Sequence, residues 1–196
     1  MCSAAAALDL GLFAVDRILV IDSDPGWAGI AAALMAELRS VVPDAWDQIE
    51  HIGSTSVPGL PAKPVIDLMA STTDLDRVVA LEQRFLARLG YTRLETGMAG
   101  GLFYRREPGT APADAVAVHL HVVPAHAWVT QNERLLRDLL LVDPDAARRY
   151  GDLKRRLAEE ITDSLVYTRA KTDLIQELVD RARQQHGLPA VNVWAD

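Results

Sequence analysis

The sequence predicts an α+β domain with a mixed β-sheet, helices, and a C-terminal part that is helical. Short apolar runs bounded by Gly and Pro recur through residues 18–123, which is typical of strands joined by turns. From residue 132 to 185, leucines recur every three or four positions among charged residues, which indicates amphipathic helices. The chain has 196 residues, 49% of them hydrophobic, which is enough for one globular domain with a core.

Strands are predicted from short apolar runs that end at Gly, Pro or polar clusters. They cover residues 18–21, 46–52, 65–70, 91–95, 102–105 and 115–123. The runs at 91–95 and 102–105 are predicted to form a hairpin, because a glycine-rich turn over residues 97–101 separates them. The segment 108–114, rich in Pro and Ala, is predicted as the loop before the last strand.

Helices are predicted where apolar residues recur at helical spacing. The first begins at residues 25–27 and reaches residue 41. The second runs from a polar cap at residues 73–76 to residue 89, and Gly90 ends it. From residue 132 onward the pattern stays helical, and Asp143-Pro144-Asp145 restarts the helix after a break.

These elements predict a simple domain organisation. We expect a flexible N-terminal segment over residues 1–16, a single domain over residues 17–185 and a tail over residues 186–196. The sequence shows no repeat, no low-complexity segment and no linker that would separate two domains.

Composition limits the functions that the chain can perform. The net charge of −7 and the pI near 5.2 argue against a broad nucleic-acid-binding surface, which is built from clustered Lys and Arg. Cys2 is the only cysteine, which excludes an internal disulfide and a cysteine-based zinc site and predicts a reducing, cytoplasmic environment. No run approaches the ~18 apolar residues of a membrane-spanning helix, so no membrane role is predicted.

Residues 50–71 form the stretch that is hardest to explain by packing alone. An apolar strand runs into Gly53-Ser54, and a loop of hydroxyl residues, Pro and Gly leads to a second apolar strand with a single acid, Asp67. A carboxylate in an apolar run costs free energy unless it is paired, hydrogen-bonded or bound to a metal. The Gly-Ser turn offers backbone amides and hydroxyls to an anion beside it. The stretch therefore predicts phosphate chemistry near Asp67.

Three blocks of sequence carry a resemblance to a known family. The blocks are Ile49-Glu50-His51-Ile52-Gly53-Ser54-Thr55-Ser56-Val57-Pro58-Gly59-Leu60 with Lys63-Pro64-Val65-Ile66-Asp67-Leu68, then His119-Leu120-His121-Val122-Val123, and finally Tyr150 with Lys154 followed by Tyr167-Thr168-Arg169-Ala170-Lys171. On these blocks the chain resembles the GrpB family, which belongs to the nucleotidyltransferase (DNA polymerase beta-like) fold superfamily. The resemblance extends from about residue 18 to about residue 183, and it implies a nucleotidyltransferase-like sheet.

The resemblance also implies a pair of acids two positions apart on the strand that follows the Gly-Ser turn. In the superfamily this pair holds a divalent metal, since side chains at that spacing share one face of a strand. Asp67 occupies the first position, but Met69 occupies the second. A thioether is a poor ligand for Mg²⁺, which needs hard oxygen donors, so the usual two-metal site is not expected in its complete form.

Two histidines are predicted to supply what the second acid would have given. His119 and His121 point to one face of the strand 115–123, because strand side chains alternate. With Asp67 they form a three-ligand set that suits Zn²⁺ or Mn²⁺ better than Mg²⁺, and all three are predicted as catalytic residues and metal ligands. The alternative is a His-x-His pair on a half-exposed sheet face that has hydrogen-bond partners and holds no ion.

Eight further residues are predicted to bind an anionic substrate. They are Gly53, Ser54, Thr55, Ser56, Lys63, Arg105, Lys154 and Lys171. The hydroxyls and amides of the turn would hold the anion, although the same residue types serve ordinary turns through local hydrogen bonds. Lys63 and Arg105 are the nearest charges that could neutralise a substrate, or else they are solvated surface charges. Lys154 and Lys171 are included because the resemblance implies that their helices close over the cleft.

Three hypotheses for the function follow. The first is a metal-assisted, nucleotidyltransferase-like enzyme that acts on a small anionic or phosphate-bearing substrate, for which a nucleoside triphosphate is the leading candidate. The second is a biosynthetic enzyme that uses Asp67 and the histidines for acid/base or metal-assisted rearrangement of a small molecule without a nucleotide. The third is a noncatalytic module that binds a nucleotide or a partner. Nucleotide binding distinguishes the first from the second, and turnover distinguishes both from the third.

Overall fold

Five strands form one mixed sheet in the computed structural model, which describes residues 18–95, 100–109 and 116–193. The strands are β1 (Gln48–Ile52), β2 (Val65–Thr72), β3 (Tyr91–Leu94), β4 (Leu102–Arg106) and β5 (Ala117–Pro124). Their order across the sheet is β1-β2-β5-β4-β3. The central strands β2 and β5 are parallel and the other neighbours are antiparallel, so the predicted mixed sheet is confirmed.

Helices flank the sheet and make up most of the chain after β5. They are α1 (Trp27–Val41), α2 (Leu75–Leu89), α3 (Asn132–Val142), α4 (Pro144–Glu160), α5 (Ser164–Arg169) and α6 (Thr172–Gln185). Short 3₁₀ helices lie at Ser54–Ser56 and Ala125–Thr130. The predicted helical C-terminal part is confirmed. None of the helices in the described part of the chain is long and apolar enough to cross a membrane.

Local sequence signals set several helix ends. Asp74 caps α2, since its Oδ1 accepts a hydrogen bond from the backbone N–H of Arg77 at 2.9 Å. Gly90 ends α2 with a φ of 72°, a left-handed conformation that favours glycine. Asp143 caps α4 in the same way, and Pro144 occupies its first turn, where no N–H donor is needed. The polar cap, the glycine stop and the helix restart were all predicted from the sequence.

Alternation along the two central strands gives the sheet two different faces. On one face, Leu68 of β2 and Leu120 of β5 are fully buried in the main hydrophobic core. Residues of α1 and α2, such as Leu38 and Phe85, belong to the same core. The other face carries Asp67, His119 and His121 at intervening positions, together with the buried Met69 and Val123. Helices α3, α4 and α6 form a second, smaller core with the loop before β2.

The predicted strand at residues 18–21 is wrong. Only Ile21 pairs, through an isolated antiparallel bridge to Ala62 with backbone hydrogen bonds of 2.9 and 3.0 Å. Ala62 lies between Pro61 and Lys63-Pro64, and proline has no N–H to donate. The bridge therefore cannot extend into a ladder.

Other boundaries differ by a few residues or fall outside the described part of the chain. β1 begins at Gln48, because Trp46 instead packs beside α1, where its Nε1 lies 3.4 Å from the carbonyl oxygen of Leu38. The pairing of β3 with β4 confirms the hairpin, although most of the turn at 97–101 lies outside the described residues. Most of the loop 108–114 and the N-terminal segment 1–16 also lie outside them. The domain limits at 17 and 185 stay a prediction.

Candidate functional site

A cavity of about 470 Å³ opens on the polar face of the sheet. Asp67 and His119 line it from the central strands, Ser54 and Thr55 line it from the 3₁₀ helix after β1, and residues of α3 to α6 form its other walls. Of the residues predicted to form a site, Ser56, Arg105 and His121 do not line this cavity and the rest do.

Asp67 and His119 form a hydrogen-bonded pair in the cavity. They are register partners on the parallel strands β2 and β5, which brings the two side chains together. Nδ1 of His119 lies 3.1 Å from Oδ1 of Asp67. This contact leaves Nε2 as the ring nitrogen that can exchange a proton with a substrate. The side chains are 30% and 26% exposed, respectively, so a ligand in the cavity can reach both.

Gly53 allows the Gly-Ser turn to lie directly against the carboxylate. Its φ is 70°, in the region that side chains rarely adopt. A Cβ on Gly53 would lie 2.4 Å from Oδ2 of Asp67, which is closer than atoms can approach. Only glycine therefore permits this turn beside Asp67. The same turn places Ser54 at the cavity.

Lys154 reaches the turn from α4. Its side chain is 3% exposed, and its Nζ donates a hydrogen bond to Oγ of Ser54 at 2.8 Å. The ammonium also lies 4.6 Å from the ring centroid of Tyr150. Burial, followed by repulsion from Lys171, lowers the pKa of Lys154 to about 7, although the charge of Asp67 opposes this shift. An anion in the cavity would favour the charged form.

Lys63 and Lys171 hold their ammonium groups over one aromatic ring. The two Nζ atoms lie 4.7 and 4.3 Å from the ring centroid of Tyr167, and Lys63 also donates to Oγ of Ser164 at 3.2 Å. Burial lowers the pKa of Lys63, and burial together with the charge of Lys63 lowers the pKa of Lys171 to about 8. Two like charges in one place repel each other, so an anion bound near them would relieve this repulsion.

His121 does not join the pair of Asp67 and His119. It lies two positions further along β5, roughly 6–7 Å at strand spacing, where its register partner is Met69. Its ring packs on Phe103 at 4.9 Å between centroids, and its buried Nδ1 has no hydrogen-bond partner. Burial lowers the pKa of His121. Among residues 18–95, 100–109 and 116–193, no group of three or more His, Cys, Asp or Glu residues is placed to hold a metal ion.

Met69 stands where the resemblance implies a second acid, and it is part of a hydrophobic cluster. Met69 is 1% exposed and packs with Ile52, Val123 and Trp128. The thioether therefore fills space beneath the 3₁₀ helix that follows β5, and Asp67 is the carboxylate that β2 contributes to the cavity, which Glu133 of α3 also lines. The structure thus brings together two of the three predicted metal ligands.

Two hydroxyls of the turn serve the turn itself. Thr55 Oγ1 donates to the carbonyl oxygen of Val65 at 3.0 Å and lies 2.9 Å from Nε2 of His51, while Ser56 Oγ donates to the carbonyl oxygen of Gly53 at 2.6 Å. Burial is the main cause that lowers the pKa of His51 to about 4, so this imidazole is neutral at pH 7. Ser54 is the turn hydroxyl that faces Lys154 in the cavity.

Arg105 lies apart from the cavity, although it is the register partner of His119 on β4. Its guanidinium pairs with Glu107, with an Nε to Oε1 distance of 2.9 Å, and it lines a separate surface pocket near the end of α2. The predicted role of Arg105 in neutralising the substrate therefore gains no support from its position. The interpretation as a surface charge describes its environment better.

Sequence reasoning missed how α3 is held over the cavity. Arg134 and Arg137, one turn apart on α3, both pair with Glu50 of β1, at 3.0 and 2.8 Å. Burial raises the pKa of Glu50, but the hydrogen bonds and charges of the two arginines lower it by more, so the pKa of Glu50 lies below its usual value. The spacing of the two arginines could have indicated one face of a helix, but nothing in the sequence identified Glu50 as their partner.

Known proteins of similar sequence point to one family. A family model described as GrpB protein matches residues 17–181. A UPF0157 protein of Pseudomonas aeruginosa is 35% identical over 183 residues, which cover 85% of this chain and 68% of that protein. A dephospho-CoA kinase of Mycobacterium bovis is 30% identical over 159 residues, which cover 69% of this chain and 38% of the kinase.

Solved structures of similar fold agree with the sequence relatives. The conserved protein GrpB from Enterococcus faecalis has a TM-score of 0.75 and 27% identity, covering 86% of this chain and 99% of that one. The GLD-2/RNP-8 complex has a TM-score of 0.55 at 15% identity over 83% of this chain and 61% of the matched one. The Cid1 poly(U) polymerase with MgGTP bound has a TM-score of 0.50 at 16% identity, covering 71% of this chain and 44% of the polymerase. The likeness to the last two is one of fold, that of the nucleotidyltransferases.

Proposed function

Because this chain belongs to the GrpB family and has a nucleotidyltransferase-like fold, we propose that its cavity binds a small phosphate-bearing substrate and supports group transfer from it. The leading candidate is a nucleoside triphosphate, whose nucleotidyl group would pass to a hydroxyl or amine of a second small molecule. The similar fold of Cid1, which is described with MgGTP bound, supports a nucleotide as the first ligand to test. The proposal keeps the cytoplasmic setting that the cysteine content predicts.

One observation carries the proposal, namely the convergence of Lys63, Lys154 and Lys171 with the Gly53-Ser54 turn in one cavity. The chain has a net charge of −7, so three ammonium groups in one place do not reflect a generally basic surface. Their lowered pKa values mean that the charged form of these lysines is less favourable in the folded protein than in water, and a bound anion would stabilise the charged form. Phosphate suits this arrangement, because it accepts hydrogen bonds from ammonium, hydroxyl and amide donors together.

The pair of Asp67 and His119 would act on the second substrate. Nε2 of His119 would accept the proton of the attacking hydroxyl or amine, since Nδ1 is engaged with Asp67. Asp67 would hold the ring in that orientation and stabilise the imidazolium that forms. A bond forms between the attacking oxygen or nitrogen and the α-phosphorus, and the bond from that phosphorus to the leaving pyrophosphate breaks. Lys154 and its neighbours would neutralise the charge that develops on the leaving group.

A divalent metal fits this site only if the substrate supplies most of its ligands. Asp67 and Glu133 both line the cavity, but Oδ1 of Asp67 already contacts His119, and within the described residues the two acids belong to no group of three or more His, Cys, Asp or Glu that could hold a metal. Met69 is buried in an apolar cluster and offers nothing to Mg²⁺. Mg²⁺ is often held by one or two carboxylates together with substrate phosphates and water, and Asp67 could provide that single contact. When bound, the metal would add positive charge at the phosphate groups.

A second candidate is acid/base chemistry on a small molecule without a nucleotide. The hydrogen bond between His119 and Asp67 favours it, because such a pair can move a proton without a metal. The burial of Met69 favours it as well, since the acid pair of nucleotidyl transfer is incomplete. The Mycobacterium bovis dephospho-CoA kinase, a longer protein that this chain matches over 38% of its length, adds a noncatalytic accessory role as a third candidate.

A binding panel tests the proposal. Calorimetry and thermal shift would compare nucleoside triphosphates with Mg²⁺ or Mn²⁺ against small carboxylates and amino acids. If the proposal is right, triphosphates bind and raise the free energy of unfolding by about 2.7 kcal/mol at a hundredfold excess over the dissociation constant. Ser54→Ala should weaken this protection without unfolding the domain, because it removes the hydroxyl that Lys154 contacts.

Each other outcome of the panel selects a different function. Binding of a small organic acid, with no triphosphate bound at millimolar concentration, would replace nucleotidyl transfer with the second candidate. The absence of any bound ligand would favour the noncatalytic role. A triphosphate that binds but is never consumed with any acceptor would also point to a binding module.

A further inference from the structure

The walls of the cavity differ in chemistry from one end to the other. Lys63 and Lys171 meet at Tyr167 of α5, which marks a cationic end. Leu136 of α3 and Ile175 of α6 line the same cavity but belong to the hydrophobic cluster between α3, α4 and α6. On α6, Lys171 at the start of the helix is followed one turn later by Ile175 and a further turn later by Val179, so the lining changes from charged to apolar along this helix, and these two parts are the cationic end and the apolar end.

A segment after α6 completes the apolar end. Val193 lines the cavity, and its backbone N–H donates to Oε1 of Gln176 at 3.0 Å. Nε2 of the same Gln176 donates to the carbonyl oxygen of Val191 at 2.8 Å, so one side chain on α6 holds this segment twice. Nε of Arg183 donates to the carbonyl oxygen of Pro189 at 2.6 Å. The segment 188–193 is therefore fastened along its length to α6.

The segment 188–193 lies beyond the part of the chain that the GrpB family model matches, which ends at residue 181. The sequence predicted it as part of a tail. Its contacts with Gln176 and Arg183 hold it against α6, and its Val193 lines the cavity. It is thus a feature of this chain that the family match does not include.

Two polar side chains at this end of the cavity already have protein partners. Oδ1 of Asn132 accepts a hydrogen bond from Arg183 at 2.8 Å. Arg137 donates to the carbonyl oxygen of His51 at 2.9 Å and pairs with Glu50 at 2.8 Å. Glu133 of α3 also lines the cavity, and its carboxylate disfavours phosphate there. The other side chains of this end offer contact area more than free hydrogen-bonding groups, and apolar burial is the main favourable interaction they can give a ligand.

Resting on the proposed phosphate-binding function, we propose that the segment 188–193 and the apolar faces of α3 and α6 form a second compartment, which binds the apolar or aromatic portion of the phosphate-bearing substrate. The lysine cluster then binds the phosphate groups, and the compartment selects ligands that carry an organic group beside them. Inorganic polyphosphate, which has no such group, would use the cationic end alone.

Isothermal titration calorimetry with two probes tests this division. Tripolyphosphate reports on the cationic end, and ATP reports on both ends, each titrated with Mg²⁺ at the same ionic strength. We expect ATP to bind at least about tenfold more tightly than tripolyphosphate, which corresponds to about 1.4 kcal/mol from the burial of its organic part.

Variants of the segment separate the two ends. Gln176→Ala removes the two hydrogen bonds that Gln176 makes to the segment, and Val193→Asn places a neutral polar group in the compartment. Both should reduce ATP affinity about five- to tenfold and leave tripolyphosphate affinity unchanged. Gln184→Ala, an exposed glutamine on the same helix, is the matched control and should change neither affinity. Circular dichroism would confirm that the variants are folded.

The outcomes distinguish the compartment from the function it rests on. Equal affinities of ATP and tripolyphosphate in the unmodified protein would overturn the compartment and leave phosphate binding intact. The same holds if Gln176→Ala and Val193→Asn weaken both probes equally or neither probe at all. If neither probe binds, the proposed function fails and the compartment fails with it.

Discussion

Leu120 and His119 are adjacent on β5, yet they lie in different environments. Leu120 is fully buried in the core with residues of α1 and α2, whereas the side chain of His119 is 30% exposed to the cavity. The same contrast separates Leu68 from Asp67 on β2. One face of the sheet is packed mainly with hydrophobic side chains, and the other combines a small apolar cluster around Met69 with polar groups that border the cavity.

The two faces of the sheet contribute differently to the stability of the domain. On the core face, burial of apolar side chains stabilises the domain. On the cavity face, Lys154 is buried and Lys171 is half-buried, both with lowered pKa values, and His121 has a buried nitrogen without a partner. Such groups destabilise a folded protein unless a ligand compensates for them, and they concentrate at functional sites. The two faces should therefore respond differently to mutation.

The largest effect is expected for Asp67 and His119, the pair proposed to be catalytic on the cavity face. Asp67→Asn removes the charge that orients and stabilises the His119 ring, so turnover should fall about 10²- to 10⁴-fold with little change in stability. Pyrophosphate release from the triphosphate, measured with the acceptor that the binding panel identifies, would report this loss. His119→Asn should show a similar loss. Full turnover in either variant would move the chemistry away from this pair.

The next effect concerns the core face. Leu120→Ala leaves a cavity among α1, α2 and the sheet, so the free energy of unfolding should fall by about 2–5 kcal/mol. Denaturant unfolding would measure it. His119→Ala, one residue away, serves as the matched comparison and should cost less than about 1 kcal/mol, because its side chain is partly exposed. Equal losses at the two positions would contradict the division between the faces.

A smaller effect is expected for the buried lysine. Lys154→Met removes the ammonium that contacts Ser54, so triphosphate affinity should fall about 10- to 100-fold, as for a charge-assisted hydrogen bond of about 1.5–3 kcal/mol. Thermal stability should not decrease, because the variant also removes a buried charge. Calorimetry would compare it with Arg105→Ala, which lies outside the cavity and should bind triphosphate normally. Similar losses in both variants would indicate nonspecific electrostatics.

The smallest effect is a dependence of anion binding on pH. The pKa values of Lys154, about 7, and Lys171, about 8, lie far below the usual value for lysine. Both side chains are charged below their pKa and neutral above it, so triphosphate affinity should decrease about tenfold as the pH rises from 6.5 to 9. Lys154→Met should flatten the part of the profile near pH 7. Affinity that rises with pH over this range would contradict the assignment of these lysines.

Several features of the fold and the site could be read from the sequence because they depend on local physics. The alternation around Asp67 and His119 assigned both side chains to one face of their strands. The Gly53-Ser54 turn identified where backbone comes close to the carboxylate, and Gly53 does lie against Asp67 with a positive φ. Lys154 and Lys171 were predicted as binding residues from the resemblance to a family and not from residue spacing.

The remaining features depend on contacts between distant parts of the chain. Lys154 and Ser54 are 100 residues apart, and only the packing of α4 on the turn brings them together. The local pattern did not distinguish Arg105, which pairs with Glu107, from Lys63, which joins the cavity. Nor did it show that His121 would be paired in register with Met69, or that Val193 would line the cavity.

The sequence by itself determined the faces of the strands, the caps of the helices and the turn beside Asp67, because each of these depends on backbone geometry over a few residues. The tertiary structure decided which charged side chains share the cavity and which hydroxyl of the turn faces it. It also decided that Met69 is buried in an apolar cluster. Those outcomes depend on distance and burial between elements far apart in the chain, and residue spacing along the sequence carries no information about either.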